Sequence, residues 1–156
     1  MRRFTGTCEP IGKVKVDDLI EWIEGIDRST WPDWHKGPSR PAVVEQPAWE
    51  NLQQNTDRVV SEVMQHFPGC RDVYRSITTV HPGDYVPPHT DTCSPEWISR
   101  VHVPIITNPG CFLIMGKKRF HLDVGKAYRV NVGTPHAIVN DGDASRIHLM
   151  FDVVHG

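Results

Sequence analysis

The chain has 156 residues, the size of one ordinary domain, and its 17 Lys and Arg against 19 Asp and Glu give a formal net charge of −2. This balance offers no basic surface to nucleic acid or to an anionic membrane. No stretch approaches the roughly 20 apolar residues of a membrane span, and the N-terminus has no apolar core of signal-peptide length. We therefore expect a single domain over residues 1–156, without nucleic-acid or membrane partners.

The cysteines are scattered along the chain and form no C-x-x-C pair; they are Cys8, Cys70, Cys93 and Cys111. A chain of this length can build a hydrophobic core and does not need disulfide bonds for stability. Reduced thiols and a cytoplasmic location are the expectation.

Helices and loops are predicted for the N-terminal part, residues 1–70. Apolar spacing near three and four predicts one helix over residues 16–26 and a longer one over residues 47–67. The segment between them is rich in proline and contains Trp31 and Trp34, which indicates an ordered loop. Either these tryptophans fill an edge of the core, or the loop is a substrate lid.

Short β-branched runs separated by turn residues fill the second part, residues 71–155. Many short strands at this spacing favour a sandwich or an open barrel. The segment from Asn140 to Asp143, with the sequence NDGD, is the clearest hairpin signal. The predicted strands cover residues 72–80, 99–106, 111–116, 126–132, 136–140 and 145–154.

Three of these strands alternate polar and apolar side chains, so that each has one polar face. A sheet face that is only solvated more often carries Lys, Glu and Thr than Arg and His. A polar cavity inside a barrel is therefore the favoured interpretation. The polar-face residues are Ser76 and Thr78, Arg100 and His102, and Arg146 and His148.

Two His-x-Asp pairs occur, His89-x-Asp91 and His121-x-Asp123. On extended backbone both side chains of such a pair lie on the same side. Iron(II) in an oxygenase takes two imidazoles and one carboxylate on one face of its octahedron, which leaves three positions for a chelating co-substrate and dioxygen. Each pair needs one more histidine, from a distant strand, to complete such a site.

The first pair has the better partners. Two prolines fix the backbone before His89, and His136 begins another predicted strand 47 residues after it. Arg146 follows ten residues later and offers a guanidinium fork shaped for a carboxylate. The second pair has no arginine in a comparable position. We therefore predict a metal site of His89, Asp91 and His136.

The identity of the metal stays open on this reasoning. A structural zinc site would use four ligands, usually with thiolates, and only Cys93 lies near the predicted ligands in sequence. A cupin-like site with two histidines and one carboxylate can also hold manganese, zinc or nickel without using oxygen.

Residues 74–154 resemble the aspartyl/asparaginyl β-hydroxylase family of iron(II)- and 2-oxoglutarate-dependent dioxygenases. The segments SITTVHPGDYVPPHTD, SRVHVPIITNPGCFLIMG and GKAYRVNVGTPHAIVNDGDASRIHLMFDV carry the resemblance. It implies a mainly β fold, a double-stranded β-helix of jelly-roll or cupin-like type with the N-terminal helices packed outside. It also implies a hydroxylase that uses Fe(II), 2-oxoglutarate and O2 to oxidise an unactivated C–H bond of an amino acid or peptidyl residue such as Asp or Asn.

The resemblance implies a role for individual residues. His89 and His136 match the family's iron-binding histidines. Asp91 completes the triad at a position where the best-known animal member has glycine. Arg146 matches the arginine that binds the distal carboxylate of 2-oxoglutarate, and Thr78 matches a hydroxyl that assists it.

Arg100 and His102 match a family pair that faces the co-substrate and the substrate. The implied substrate is a small molecule or a peptide, possibly one that carries a carboxylate. Two other functions stay open: a metal-dependent cupin-like isomerase or hydrolase, and a cupin-like binding module without catalysis. Oxygen and 2-oxoglutarate consumption separates the first from a dioxygenase, and metal titration separates the second.

Overall fold

The computed structural model describes residues 1–26, 43–45 and 49–156, with side chains for residues 1–26 and 51–156. The loop with Trp31 and Trp34 lies outside the described residues. In chain order the elements are β1 Cys8–Lys13, α1 Asp17–Glu24, β2 Val43–Glu45, α2 Trp49–Met64, β3 Cys70–Val80, β4 Tyr85–His89, β5 Trp97–Ile106, β6 Cys111–Met115, β7 Lys118–Phe120, β8 Lys126–Val130, β9 His136–Asn140 and β10 Arg146–His155.

Both predicted helices and all six predicted strands are present, and both helices are shorter than predicted. The prediction missed four strands. β1 and β2 lie in the part for which only helices and loops were predicted, β4 contains two prolines, and β7 has three residues. A short strand, or one with proline or glycine, has little strand propensity in its own sequence. Such a strand forms because neighbouring strands pair with it.

The described strands form two antiparallel sheets. The larger sheet has the order β1-β8-β5-β10-β3-β2, and the smaller has the order β4-β9-β6-β7. The two sheets do not close into a continuous barrel, and their arrangement is that of a jelly roll. The predicted fold class is confirmed.

The main hydrophobic core lies between the helices and the outer face of the larger sheet. Leu19 and Ile23 from α1 and Val60 from α2 are fully buried against this face. The sheet contributes the apolar sides of the alternating strands, so the helices pack outside as predicted. The buried sheet residues of this core include Ile77, Val101, Val103, Ile105, Ile147, Leu149, Phe151 and Val153.

The polar sides of the same strands face the smaller sheet. Arg146 and His148 of β10 line a small cavity together with Leu113 of β6 and Ile138 of β9. A second apolar cluster packs between the two sheets, with Trp97 and Val130 from the larger sheet and Leu113 and Met115 from the smaller. The interior between the sheets is therefore partly polar, as the alternation predicted.

The hairpin predicted at Asn140 is wrong. β9 pairs with β4 and β6, whereas β10 pairs with β3 and β5, so the NDGD turn carries the chain from one sheet to the other. The Asn140 amide locks this turn by donating to the carbonyl oxygens of Val80 and Ala144, both at 2.9 Å. The two-residue hairpin lies instead between β6 and β7, where Gly116 has a φ of +61°.

All four cysteines have free thiols. Within the described ranges, no helix combines the length and the apolar character needed to cross a bilayer.

Candidate metal centre and co-substrate site

The three predicted metal ligands converge. His89 ends β4, His136 begins β9, and the two residues are paired directly across the strands. Nε2 of His89 lies 3.6 Å from Oδ1 of Asp91, and Nε2 of His136 lies 3.7 Å from Oδ2 of Asp91. One ligand atom of each residue lies within 4.8 Å of the others.

This geometry fits a divalent cation. Ligand atoms that lie about 2.1 Å from an ion, on one face of an octahedron, are about 3 Å apart. The separations of 3.6 and 3.7 Å involve different oxygens of Asp91 and exceed hydrogen-bonding distance, and all three ligand atoms lie within 4.8 Å of one another, so the group must draw together around an ion. His121 and Asp123 lie at the same separation, 3.6 Å. In the described part of the chain, however, they have no third His, Cys or carboxylate ligand.

Both histidine rings are held in the tautomer that a metal requires. Nδ1 of His89 lies 2.8 Å from the carbonyl oxygen of Pro87, and Nδ1 of His136 lies 2.9 Å from that of Thr134. Because a carbonyl oxygen only accepts, Nδ1 is the donor in each ring and Nε2 presents its lone pair. Burial lowers the pKa of His136, which also favours the neutral ring.

The prolines before His89 are compatible with a strand because β4 lies at the edge of the smaller sheet. An edge strand tolerates the missing N–H groups. The pairing with β9 shifts register between Val86 and His89, where the prolines lie. Beyond the strand, the backbone N–H of Asp91 donates to the carbonyl oxygen of Val132 at 2.8 Å. These constraints bring Asp91 beside the two histidines.

Arg100 orients the carboxylate of Asp91. Its Nη1 donates to Oδ2 of Asp91 at 2.7 Å. Its Nε and Nη2 bind the two carboxylate oxygens of Asp152 at 2.8 and 3.1 Å. Asp152 was missed in the sequence, although the alternation that places Arg146 and His148 on the inner face also places Asp152 there.

Arg146 is a buried cation without an acidic partner. Its side chain lies on the inner face of β10 and is 3% exposed. Among the described residues, no carboxylate lies within ion-pair distance of its guanidinium. Burial lowers its pKa to about 10, so it is still charged at neutral pH. A buried charge is costly unless it is paired, and this site therefore favours an anionic ligand.

The other two predicted site residues, His102 and Thr78, lie near Arg146 on the same face, together with His148. Nδ1 of His102 lies 3.2 Å from Nδ1 of His148, so one ring donates and the other accepts. Burial and then the charge of Arg146 lower the pKa of both rings well below the usual value, so the pair is neutral. Thr78 is paired with His148 across β3 and β10, and its hydroxyl donates to Sδ of Met150 at 3.3 Å.

A family model described as aspartyl/asparaginyl beta-hydroxylase matches residues 33–156, a range that contains every one of these side chains. The chain belongs to the aspartyl/asparaginyl β-hydroxylase family. The resemblance predicted from the sequence is therefore confirmed.

The chain is similar in sequence to a curated hydroxylase. An L-proline cis-4-hydroxylase from Rhizobium meliloti (strain 1021) is 30% identical over 91 residues, 58% of this chain and 32% of that protein. The chain thus spans about a third of the length of this curated relative.

Solved structures resemble it over nearly its whole length. A prolyl-4-hydroxylase from Pseudomonas putida has a TM-score of 0.71 at 11% identity, over 97% of this chain and 94% of that one. The viral collagen prolyl hydroxylase of Paramecium Bursaria Chlorella virus-1 has a TM-score of 0.61 at 11% identity, over 97% of both chains. Likeness at this identity establishes the fold.

In this member of the family, the two sheets supply different groups to the site. The candidate metal-binding histidines come from the smaller sheet, and the two arginines come from β5 and β10 of the larger one. A cation site therefore lies beside a sheet face that carries positive charge. Such an arrangement suits an anionic ligand that also chelates the metal.

Proposed function

We propose that this protein is an iron(II)- and 2-oxoglutarate-dependent dioxygenase that hydroxylates an unactivated C–H bond. The observation that carries the proposal is the pairing of two features. Three ligands with free lone pairs converge on one point, and the facing sheet buries a guanidinium that has no carboxylate partner among the described residues. Membership of the β-hydroxylase family supports the same reading.

Buried Arg146 is the group that we expect to bind the distal carboxylate of 2-oxoglutarate. 2-Oxoglutarate has a carboxylate and ketone that chelate a metal at one end and a second carboxylate at the other. A buried guanidinium binds such a carboxylate through charge-assisted hydrogen bonds, about twice as strong as neutral ones. A cupin-like isomerase, hydrolase or binding module without an anionic ligand leaves the burial of this charge unexplained.

The chain's own residues then have distinct tasks. The Nδ1–H groups of His89 and His136 stay on backbone carbonyls and keep the Nε2 atoms available to iron. Arg100 holds the Asp91 carboxylate in place, and Arg146 with Thr78 holds the distal carboxylate of 2-oxoglutarate. Iron, when bound, supplies the activation of dioxygen that the side chains cannot perform. The apolar walls from Leu113 and neighbouring residues limit access of water.

The substrate that we propose is an amino acid or a peptidyl residue with a carboxylate close to the oxidised carbon. Arg100 uses three of its five N–H donors on Asp91 and Asp152, so two remain for a substrate carboxylate. Aspartyl and asparaginyl residues are candidates from the family description, and proline is a candidate from the curated relative. The four free thiols favour a cytoplasmic location.

The two His-x-Asp pairs provide a matched test of the metal site. Asp91→Ala removes one proposed ligand, whereas Asp123→Ala removes the carboxylate of the pair that lacks a third ligand. We expect the first substitution to weaken iron(II) binding by at least about tenfold to a hundredfold, the range for losing a hydrogen-bond partner of a metal ligand. The second should leave the affinity unchanged. The measurement is calorimetric titration of iron(II) without dioxygen, after thermal unfolding shows that both variants fold.

Equal iron affinity in the Asp91→Ala and wild-type proteins would remove Asp91 from the triad. A loss in Asp123→Ala as large as in Asp91→Ala would move the metal to the other pair.

A further inference from the structure

A cavity of about 740 Å³ opens beside β3, and its lining runs from Gln53 of α2 to Arg100 of β5. Arg100, whose guanidinium holds the metal ligand Asp91, forms part of its wall. Ser76 and Met150, paired across β3 and β10, also line it. Its volume is in the range of small-molecule sites.

One wall of this cavity is formed by a β-bulge in β3. Asp152 pairs with Val73 and Met150 pairs with Ser76, so two residues of β3, Tyr74 and Arg75, lie opposite a single residue of β10. Tyr74 has a φ of +57°, and no other non-glycine residue in the described ranges has a positive φ. This left-handed conformation is unfavourable for a bulky aromatic residue, and such strain often marks a functional position.

The bulge is held in place by the side chain of Arg75, one of its two residues. Its buried guanidinium donates to Asp72 at 2.6 Å and to Asp57 of α2 at 2.6 Å. It also donates to the hydroxyl of Thr56 at 3.3 Å. This network ties the bulge to α2, and Asp72 and Arg75 line the cavity together with Tyr74.

The Tyr74 side chain gains little from this position in the free protein. It is 79% exposed, more than any other large hydrophobic residue described. The bulge therefore presents an exposed aromatic ring at the cavity wall, in a backbone conformation that tyrosine disfavours. A ligand that covers the ring would supply the missing packing.

We infer that Tyr74 determines substrate specificity by packing its ring against the apolar part of an amino-acid substrate bound in this cavity. The inference rests on the proposed function. Arg100 and Ser76 provide polar contacts for the charged groups of the amino acid, and Tyr74 with Met150 provides an apolar surface for its carbon skeleton. The oxidised carbon then lies between the metal site and the aromatic wall.

The experiment compares two substitutions of Tyr74 with a control. Tyr74→Gly removes the ring and relieves the backbone strain, whereas Tyr74→Phe retains the ring. The control Tyr85→Ala removes another exposed tyrosine, 50% exposed on β4, that does not line the cavity. Iron- and 2-oxoglutarate-loaded protein is titrated calorimetrically without dioxygen, using L-proline, L-aspartate and L-asparagine as probes. Thermal unfolding is measured in parallel.

We expect Tyr74→Gly to weaken binding of the best of the three probes by about tenfold, the size of one aromatic contact. Its melting temperature should be equal to or above that of the wild type, because glycine tolerates a positive φ. Tyr74→Phe and Tyr85→Ala should bind within about threefold of the wild type. Loss of binding together with unchanged stability separates a role in recognition from a role in folding.

Three results would overturn the inference, and they distinguish failure of the role of Tyr74, of the substrate class and of the proposed function. Unchanged affinity in Tyr74→Gly shows that the ring does not contact the substrate. A wild type that binds 2-oxoglutarate but none of the three amino acids rules out both the substrate class and this role of Tyr74. A wild type that does not bind 2-oxoglutarate contradicts the proposed function itself.

Discussion

At the scale of single residues, the site depends on charges and lone pairs that the surrounding backbone fixes. The Nδ1–H of each candidate metal-binding histidine donates to the carbonyl oxygen two residues before it, that of Pro87 or Thr134. Asp91 is fixed by its own N–H and by Arg100. The three candidate ligands are therefore held close together before a cation binds, which is the condition for a preorganised metal site.

Arg146→Ala tests the co-substrate assignment at this scale. Removing the partner of a buried carboxylate costs about 2–5 kcal/mol, so 2-oxoglutarate should bind about thirtyfold more weakly or worse. Iron(II) affinity should stay near the wild-type value. The control is Arg129→Ala, because Arg129 is paired with Glu9 away from the cavity. Calorimetric titration with 2-oxoglutarate measures both variants, and unchanged affinity in Arg146→Ala would rule out the assignment.

The sequence was sufficient to predict most of these residues. Two-residue spacing in His89-x-Asp91, and strand alternation around Arg100 and Arg146, depend only on local backbone geometry. Asp152 was missed because its role arises from pairing with Arg100 on a neighbouring strand. Tyr74 was also missed, since a bulge is defined by the register between two strands and not by either strand alone.

At the scale of elements, β10 serves the core and the site with its two faces. Leu149 and Phe151 are buried against the helix side, whereas Arg146, His148 and Asp152 face the interior between the sheets. One strand thus couples a stable hydrophobic layer to a polar cavity. This arrangement buries the neutral pair of His102 and His148 beside the charged Arg146, which makes the stability of the fold depend on pH.

The pH dependence of stability follows from that pair. The pKa values of His102 and His148 lie well below 6.5 in the folded protein. Below about pH 6.5 the unfolded chain therefore binds protons that the folded chain does not, and the free energy of unfolding falls as the pH falls. Each group contributes at most about 1.4 kcal/mol per pH unit.

His148→Asn should reduce this slope. Urea unfolding of the metal-free protein between about pH 7.5 and pH 5.5 measures it. His155→Asn is the control, because His155 is exposed at the end of β10. If the His148→Asn protein loses stability on acidification as steeply as the wild type does, the buried pair is not its source.

At the scale of the whole molecule, the site exists because two sheets face each other. The two candidate metal-binding histidines belong to the smaller sheet, Asp91 follows the end of β4, and Arg146 belongs to the larger sheet. Local sequence patterns predicted the strands but not how they are distributed between the sheets. The NDGD segment has the composition of a hairpin turn, yet the side chain of Asn140 ties it to β3 through Val80, and the chain crosses between the sheets.

The N-terminal strands show the same limit of sequence reasoning. β1 pairs with β8, and β2 pairs with β3, and both pairings join residues far apart in the chain. Pro10 and Gly12 interrupt the alternation of a half-buried strand in β1, and β2 has only three residues. Long-range pairing determines their structure, and long-range pairing is what a single sequence specifies least directly.

Succinate released from 2-oxoglutarate is the measurement that tests the central claim most directly. Wild-type protein with iron(II), 2-oxoglutarate, dioxygen and the three amino-acid probes should release succinate, and release should require iron. His136→Ala, which removes a ligand without touching Arg146, should reduce it to the level of iron alone. No succinate from iron-loaded wild-type protein that binds both 2-oxoglutarate and an amino-acid probe, or undiminished release from His136→Ala, would contradict the account and favour a cupin-like protein that does not use oxygen.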